Sequence, residues 1–389
     1  MKAARERVRK ALTITTRKGP SKKHIREMTE TEVARLYRIG CHVMPSTNTG
    51  MDVLFATRLS DGLEVVIKTR QKSVSFKCAQ EEREWRMTTE YQLNMPKVDT
   101  LCEFYEVLET REKYYVVMEK VEGRDLFEQM ASEGLTILDS REIIRQILEA
   151  VRTLHADGRI HKDLKIENVM VDFESPKRKS SIGSIKSSAD DSGRKATGGR
   201  SLGESVRDMR LSRISRGSSS TSSRGGNSPS TTPNRNITSS AAPFSPAEVK
   251  LIDFDTVQDW EPTSPKAKDV LGTDGYIAPE AYAGDYSPAS DIYAAGVIMY
   301  KLLTGTFPFK SDIFDDQPGE NWVGSPAMKR IQDRLKKVGI DFTRPPFHRH
   351  VEAAELCCQM LAYSANDRPT AEEALRHEWF FKDLSIKDL

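Results

Sequence analysis

The spacing of apolar residues changes character several times along the chain. From Ala34 to Tyr105 it favours short strands: Val53-Leu54-Phe55-Ala56 and Leu63-Glu64-Val65-Val66-Ile67-Lys68 are apolar and β-branched, and Ser60-Asp61-Gly62 between them suits a hairpin turn. A helical stretch follows from Glu81 to about Asn94, and Lys113-Tyr114-Tyr115-Val116-Val117-Met118-Glu119 has the continuous apolar pattern of a buried strand. Between Ser140 and Asp157, Ile143, Ile144, Ile147, Leu148, Val151 and Leu154 recur at helical spacing, which predicts an amphipathic helix ending at Asp157-Gly158. Asp291 to Tyr300 reads as a second buried helix, too short to span a membrane.

Two regions lack such a pattern. Residues 1–32 are basic and polar, and are read as a flexible tail. Residues 175–248 are dominated by Ser, Gly, Arg, Thr and Pro, too little apolar surface to offset the entropy of ordering, and are read as a disordered insertion. Order resumes at Val249-Lys250-Leu251-Ile252-Asp253-Phe254-Asp255.

The net charge of +2 argues against a whole-chain nucleic-acid or membrane binder. The insertion lacks the interleaved aromatics of a single-strand binder. Cys41, Cys78, Cys102, Cys357 and Cys358 show no metal-type spacing, so each is read as a small buried apolar side chain in a reducing compartment, cytoplasmic or nuclear. No apolar run approaches the roughly 20 residues of a transmembrane helix.

The chemistry concentrates in Ile160-His161-Lys162-Asp163-Leu164-Lys165-Ile166-Glu167-Asn168-Val169-Met170. A carboxylate that can receive a hydroxyl proton, a lysine two residues on and an amide oxygen three beyond that suit phosphoryl transfer. This stretch resembles the protein kinase catalytic loop H-R-D-x-x-x-x-N, with Lys162 in place of the arginine. Further motifs occur in the same order: Val65-Val66-Ile67-Lys68 is similar to the V-A-I-K strand, Asp253-Phe254-Asp255 to D-F-G, and Ala278-Pro279-Glu280 matches A-P-E. Asn366-Asp367-Arg368-Pro369-Thr370 and Ala374 to Phe380 resemble the end of a calcium/calmodulin-dependent protein kinase domain, and within the superfamily the chain looks most like that group.

The resemblance implies an α+β, bilobal fold: a β-rich N-lobe over 33–121, a mainly helical C-lobe over 122–383 interrupted by the insertion, and a short end at 384–389. It implies ATP and Mg²⁺ between the lobes, with Asp163 as base, Lys165 beside it, and Asn168 and Asp253 as metal ligands. Lys68 would hold the α- and β-phosphates, paired with a helix glutamate, for which Glu84 is chosen and Glu90 held in reserve. Gly50 and Val53 would cover the nucleotide; only Gly50 survives of the glycine-rich loop across Ser46 to Val53. Met118 would back the adenine, with the Glu119 carbonyl and Val121 backbone as its hydrogen-bond partners. Asp125 would lie near the nucleotide and, with Glu167, receive basic residues of a protein substrate; Thr273 marks a serine/threonine enzyme. Glu280 would pair with Arg368, and Asp291 begins the buried helix.

The same residues imply a basophilic enzyme that modifies itself at the R-x-x-S sites ending in Ser181 and Ser219 of the insertion. Lys162 is a poorer bidentate partner than arginine, so an activation-segment phosphate at Thr263 or Ser264 is expected to exert weak control. No D-x-[DN]-x-[DN]-G loop occurs, so no intrinsic Ca²⁺ site is expected; the insertion or the basic tail are candidate docking points for a regulatory partner. The competing class is a nucleotide-binding pseudokinase, suggested by the missing glycines and by Asp255 and opposed by intact Lys68, Asp163, Asn168 and Asp253. Separating Asn168 from Asp253 by 85 positions is no obstacle, because lengthening the loop from roughly 10 to roughly 80 residues adds only about 2 kcal/mol of closure entropy.

Overall fold

The computed structural model describes residues 22–44, 50–132, 134–173 and 247–382. Strands β1 (Arg26–Glu27), β2 (Tyr37–Met44), β3 (Met51–Arg58), β4 (Glu64–Gln71), β5 (Phe104–Glu109) and β6 (Lys113–Glu119) form one sheet in the order β1-β5-β6-β4-β3-β2. Helices α1 (Glu30–Leu36), α2 (Lys72–Ser75) and α3 (Ala79–Gln92) complete this lobe. Alternation along β4 turns Val65 and Ile67 into a core with Val33, Tyr37 and Val117, while Val66 and Lys68 take the other face.

The N-terminal segment departs from the flexible-tail reading, because residues 22–32 are part of this lobe. β1 adds a parallel strand at the edge of β5, Lys23 Nζ donates to the Phe104 carbonyl (2.9 Å), and Asn94 bonds the Lys23 backbone in both directions. Thr29 and Glu32 form a reciprocal capping box that starts α1. Glu30 then accepts from the hydroxyls of Thr110 and Tyr115, both at 2.6 Å.

The second lobe contains β7 (Arg124–Asp125), α4 (Leu126–Ser132), α5 (Ile137–Ala156), β8 (Arg159–Ile160), β9 (Val169–Asp172), β10 (Glu248–Leu251), β11 (Gln258–Asp259), α6 (Pro288–Thr304), α7 (Pro326–Lys337), α8 (Val351–Met360) and α9 (Ala371–Leu375). Helix α5 begins three residues before the periodicity suggests, because Thr136 and Asp139 supply a second capping box. Its apolar stripe is fully buried against α6. Antiparallel β9 and β10 pair in register from Asp172↔Glu248 to Val169↔Leu251, so 247–248, assigned above to the insertion, belong to the ordered lobe. Gly123 needs φ +91°, and a Cβ there would stand 2.2 Å from the Val171 carbonyl oxygen; its missing side chain lets β7 approach β9.

Cys102 and Cys357 are buried as expected, but Cys41, Cys78 and Cys358 are exposed. Cys78 occupies the N-cap of α3, and Cys358 follows a buried neighbour on α8, where consecutive residues cannot share one face. No described helix is long and apolar enough to cross a membrane.

Two buried ion clusters fix the second lobe. Asp291 accepts the backbone N–H groups of His161 (2.8 Å) and Lys162 (2.9 Å) and lies 3.0 Å from His155 Nε2. Burial alone would raise its pKa; the His155 hydrogen bond and charge outweigh it and hold the carboxyl below its ordinary range. Arg368 meets Glu280 with two parallel bonds (2.7 and 2.8 Å), and its side chain is 0% exposed.

Removing one partner of the second pair leaves a buried charge, so Glu280→Gln should lose about 3 kcal/mol in urea unfolding. For Asp291, a depressed folded pKa means stability that is complete above the unfolded value, roughly pH 4, and lost as pH falls through the lower folded one. Asp291→Asn should therefore be about 2 kcal/mol less stable than wild type at neutral pH, with the gap narrowing only in acid; a pH-independent gap would contradict the ionised role.

Candidate active site

Between the lobes, Leu251 exchanges backbone bonds with Cys102 and Thr100 (both 2.9 Å), and Lys250 Nζ reaches Glu119 Oε1 at 2.5 Å. These contacts join β10 to the end of β6 and to the segment before β5. Met118 is buried and pairs with Val66, and Val53 pairs with Lys68. The Glu119 carbonyl faces the Cys102 thiol at 3.6 Å, and Val121 packs at the edge of the main core.

The catalytic-loop residues converge. Asp163 Oδ1 accepts from the Thr273 hydroxyl (2.7 Å), and Asp163 Oδ2 lies 3.0 Å from Lys165 Nζ. Lys165 also donates to Thr273 Oγ1 at 2.9 Å, closing a triangle of carboxylate, amine and hydroxyl. Asn168 sits in a 3₁₀ turn, Ile166–Asn168; its amide nitrogen donates to the Asp163 carbonyl (2.9 Å), which leaves its side-chain oxygen to accept. Its own carbonyl accepts from Ile252 N at 2.9 Å, tying the loop to Asp253. Lys162, at φ +71°, is pinned by Asp291 while its amine donates to Gln258 Oε1 (2.9 Å) and lies over the Tyr286 ring; burial lowers its pKa.

Lys68 departs from the expected pairing. Its amine lies 2.5 Å from Asp253 Oδ1 and 3.5 Å from Asp255 Oδ2. Glu84 is exposed on α3 and accepts from Gln80 (2.8 Å), while the reserve, Glu90, accepts the Ile25 N–H. The buried face of α3 carries Thr89 and Gln92 instead, and Gln92 donates to the Phe254 carbonyl. For Asp253, burial raises the pKa, but the Lys68 charge and hydrogen bond outweigh it and lower it; Asp255 is raised, by desolvation first and then by Asp253. Phe254 itself is buried against the Phe104 and His161 rings. Asp253 has φ +63°, which an aspartate tolerates.

Gly50 also has a packing reason. At φ +76°, a Cβ there would stand 2.2 Å from Val74 Cγ2, so its glycine identity serves packing on α2. The loop positions Ser46 to Thr49 lie outside the described residues, as do Ser181 and Ser219. Asp125 caps α4 by accepting the Glu128 N–H (2.7 Å), and Glu167 is exposed on the 3₁₀ turn that packs against β7. The contacts that the sequence reading missed are Asp255 on Lys68, Gln92 on Phe254, Gln258 on Lys162 and His155 on Asp291. Each joins residues far apart in the chain, so no local spacing announces it.

Among the described residues no group of three or more His, Cys, Asp or Glu is arranged to hold a metal ion. Mg²⁺ requires less, since one or two carboxylates suffice when phosphates complete its shell. The accepting Asn168 oxygen and the ionised Asp253 are hard oxygen donors of that kind.

Comparison with known proteins agrees with this geometry. The protein kinase domain model matches residues 49–184 and 236–380. Calcium-dependent protein kinase 4 of Plasmodium falciparum is 26% identical over 294 residues, 74% of this chain and 39% of that protein. Calcium-dependent protein kinase 24 of Arabidopsis thaliana is 25% identical over 287 residues, 73% and 35% of the respective chains. The CaM kinase-like vesicle-associated protein of Xenopus laevis is 24% identical over 303 residues, 76% and 60%. The chain thus spans less than two thirds of the length of these relatives. With the family model covering most of the chain and the catalytic-loop residues gathered around Asp163, the chain belongs to the protein kinase domain family.

Proposed function

We propose that this chain is a serine/threonine protein kinase that uses ATP and Mg²⁺ and prefers hydroxyls preceded by basic residues. The observation that carries this reading is the triangle of Asp163, Lys165 and Thr273. An aliphatic hydroxyl, the group a serine or threonine substrate would offer, already donates to Asp163 Oδ1 at 2.7 Å. The carboxylate therefore accepts such a donor without rearrangement and is oriented to receive its proton. Lys165, 3.0 Å from Asp163 Oδ2, brings a positive charge to the transferring group.

Asn168 and Asp253 would hold Mg²⁺, and Lys68 the nucleotide phosphates; the bound metal would neutralise charge on the phosphates. Met118 and the backbone at Glu119 and Val121 would receive the adenine. For peptide selection, Asp125 and Glu167 sit on adjacent elements, and two carboxylates there suit arginine-bearing substrates. Ser181 and Ser219 would then be targets in the chain itself.

A second reading, a nucleotide-binding scaffold with little turnover, rests on one observation: Lys68 is bound to two aspartates and to no α3 glutamate. Transfer of labelled γ-phosphate from Mg-ATP to the chain and to an R-x-x-S peptide separates the two. The expected result is incorporation that falls at least about 100-fold in Asp163→Asn. No incorporation by the wild-type chain, with Mg-ATP still raising its melting temperature, would select the scaffold.

A further inference from the structure

In protein kinases the strand lysine and a helix glutamate form an ion pair that positions the nucleotide phosphates. Here every glutamate of α3 is engaged elsewhere. Glu81 accepts from the Lys77 backbone (2.7 Å), Glu82 from the Tyr114 hydroxyl (2.6 Å), Glu84 from Gln80 (2.8 Å) and Glu90 from the Ile25 backbone (3.2 Å). The tie between helix and strand is made differently. Arg70, two residues beyond Lys68 and on the same face of β4, lies over the rings of Phe76 (4.7 Å) and Trp85 (5.3 Å), and Trp85 belongs to α3.

Asp255 supplies the carboxylate that the helix does not. Phe254 is fixed in the core, and its flanking aspartates both reach Lys68, Asp253 at 2.5 Å and Asp255 at 3.5 Å. Asp255 is not among the residues with positive φ, so a side chain is accommodated at this position without backbone strain. Asp253 has a competing task, because it is the expected Mg²⁺ ligand; Asp255 has none.

We propose that Asp255 is the positioning residue for Lys68, taking the place of the helix glutamate and holding the amine for the nucleotide phosphates when Asp253 turns to the metal. This rests on the nucleotide-site reading above. It assigns a purpose to the departure from the family's glycine, and it predicts that restoring that glycine weakens the site.

Mg-ATP binding to the full chain, measured by calorimetry and so independent of turnover, tests it with Asp255→Asn, Asp255→Glu and Asp255→Gly. The Asn and Gly variants should bind about tenfold more weakly, and Glu within about twofold of wild type. In a Lys68→Gln background, at raised nucleotide concentration, Asp255→Asn should cause no further loss, which a general structural defect would not reproduce. Equal or tighter binding by both the Asn and Gly variants would mean that Asp255 competes for the lysine, and would overturn the inference while leaving the nucleotide site intact. The same fractional loss with and without Lys68 would overturn it too. A wild-type chain that binds no Mg-ATP would remove the nucleotide-site reading, and this inference with it.

Discussion

A carboxylate buried in the first turn of a helix has to be surrounded by donors or be neutralised, and Asp291 is surrounded. Its oxygens take the backbone N–H groups of His161 and Lys162 and face His155. Those bonds hold Lys162 in a left-handed conformation that a lysine seldom adopts. The chain reverses there, and the reversal directs Asp163 toward Thr273 and Lys165. The expected base is thus placed by a group that does not itself contact Thr273 or Lys165. Its rigidity comes from α6, whose residues from Ser290 to Tyr300 are all buried.

The first lobe is assembled on a different principle. Lys68 is positioned by sheet register, between Val53 on one side and Val116 on the other, and a strand paired on both sides cannot slip without turning its core face outward. Helix α3 has no such ladder and is fastened at several points. Trp85 meets Arg70, Gln92 reaches the Phe254 carbonyl, and Glu90 and Asn94 at its C-terminal end hold the backbone of residues 23–25. The N-terminal segment therefore contacts the same helix that touches the Asp253-Phe254-Asp255 turn.

Much of this architecture is legible in the sequence where one physical signal dominates. The helical stripe of α5 and the unbroken apolar run of β6 specify their elements because burial on one face, or on both, leaves a distinct period. The loop from His161 to Asn168 is legible because chemistry demands particular residue types at fixed offsets. The choice of Glu84 failed for the opposite reason. Four glutamates on one helix are equivalent in sequence, and which of them faces inward depends on aromatic packing of Phe76, Trp85 and Tyr114 that no local pattern records. The N-terminal segment hid because β1 is two residues long and α1 seven, too short for a period, although Thr29 and Glu32 already spelled a capping box. Gly50 was visible as a glycine, but its packing constraint against Val74, 24 positions away, was not.

The long insertion illustrates how a site can stay fixed while the chain around it grows. The ends of the insertion leave from β9 and enter β10, which are antiparallel neighbours paired from Asp172↔Glu248 inward. Register in such a pair is set by which face is buried, here Val169, Val171, Val249 and Leu251, and not by the length of the connection. The last link of that ladder is Ile252 N to the Asn168 carbonyl, one residue before Asp253. The distance between the two expected metal ligands is therefore determined by strand pairing alone. Residues can be added between them at a cost that rises only logarithmically with their number.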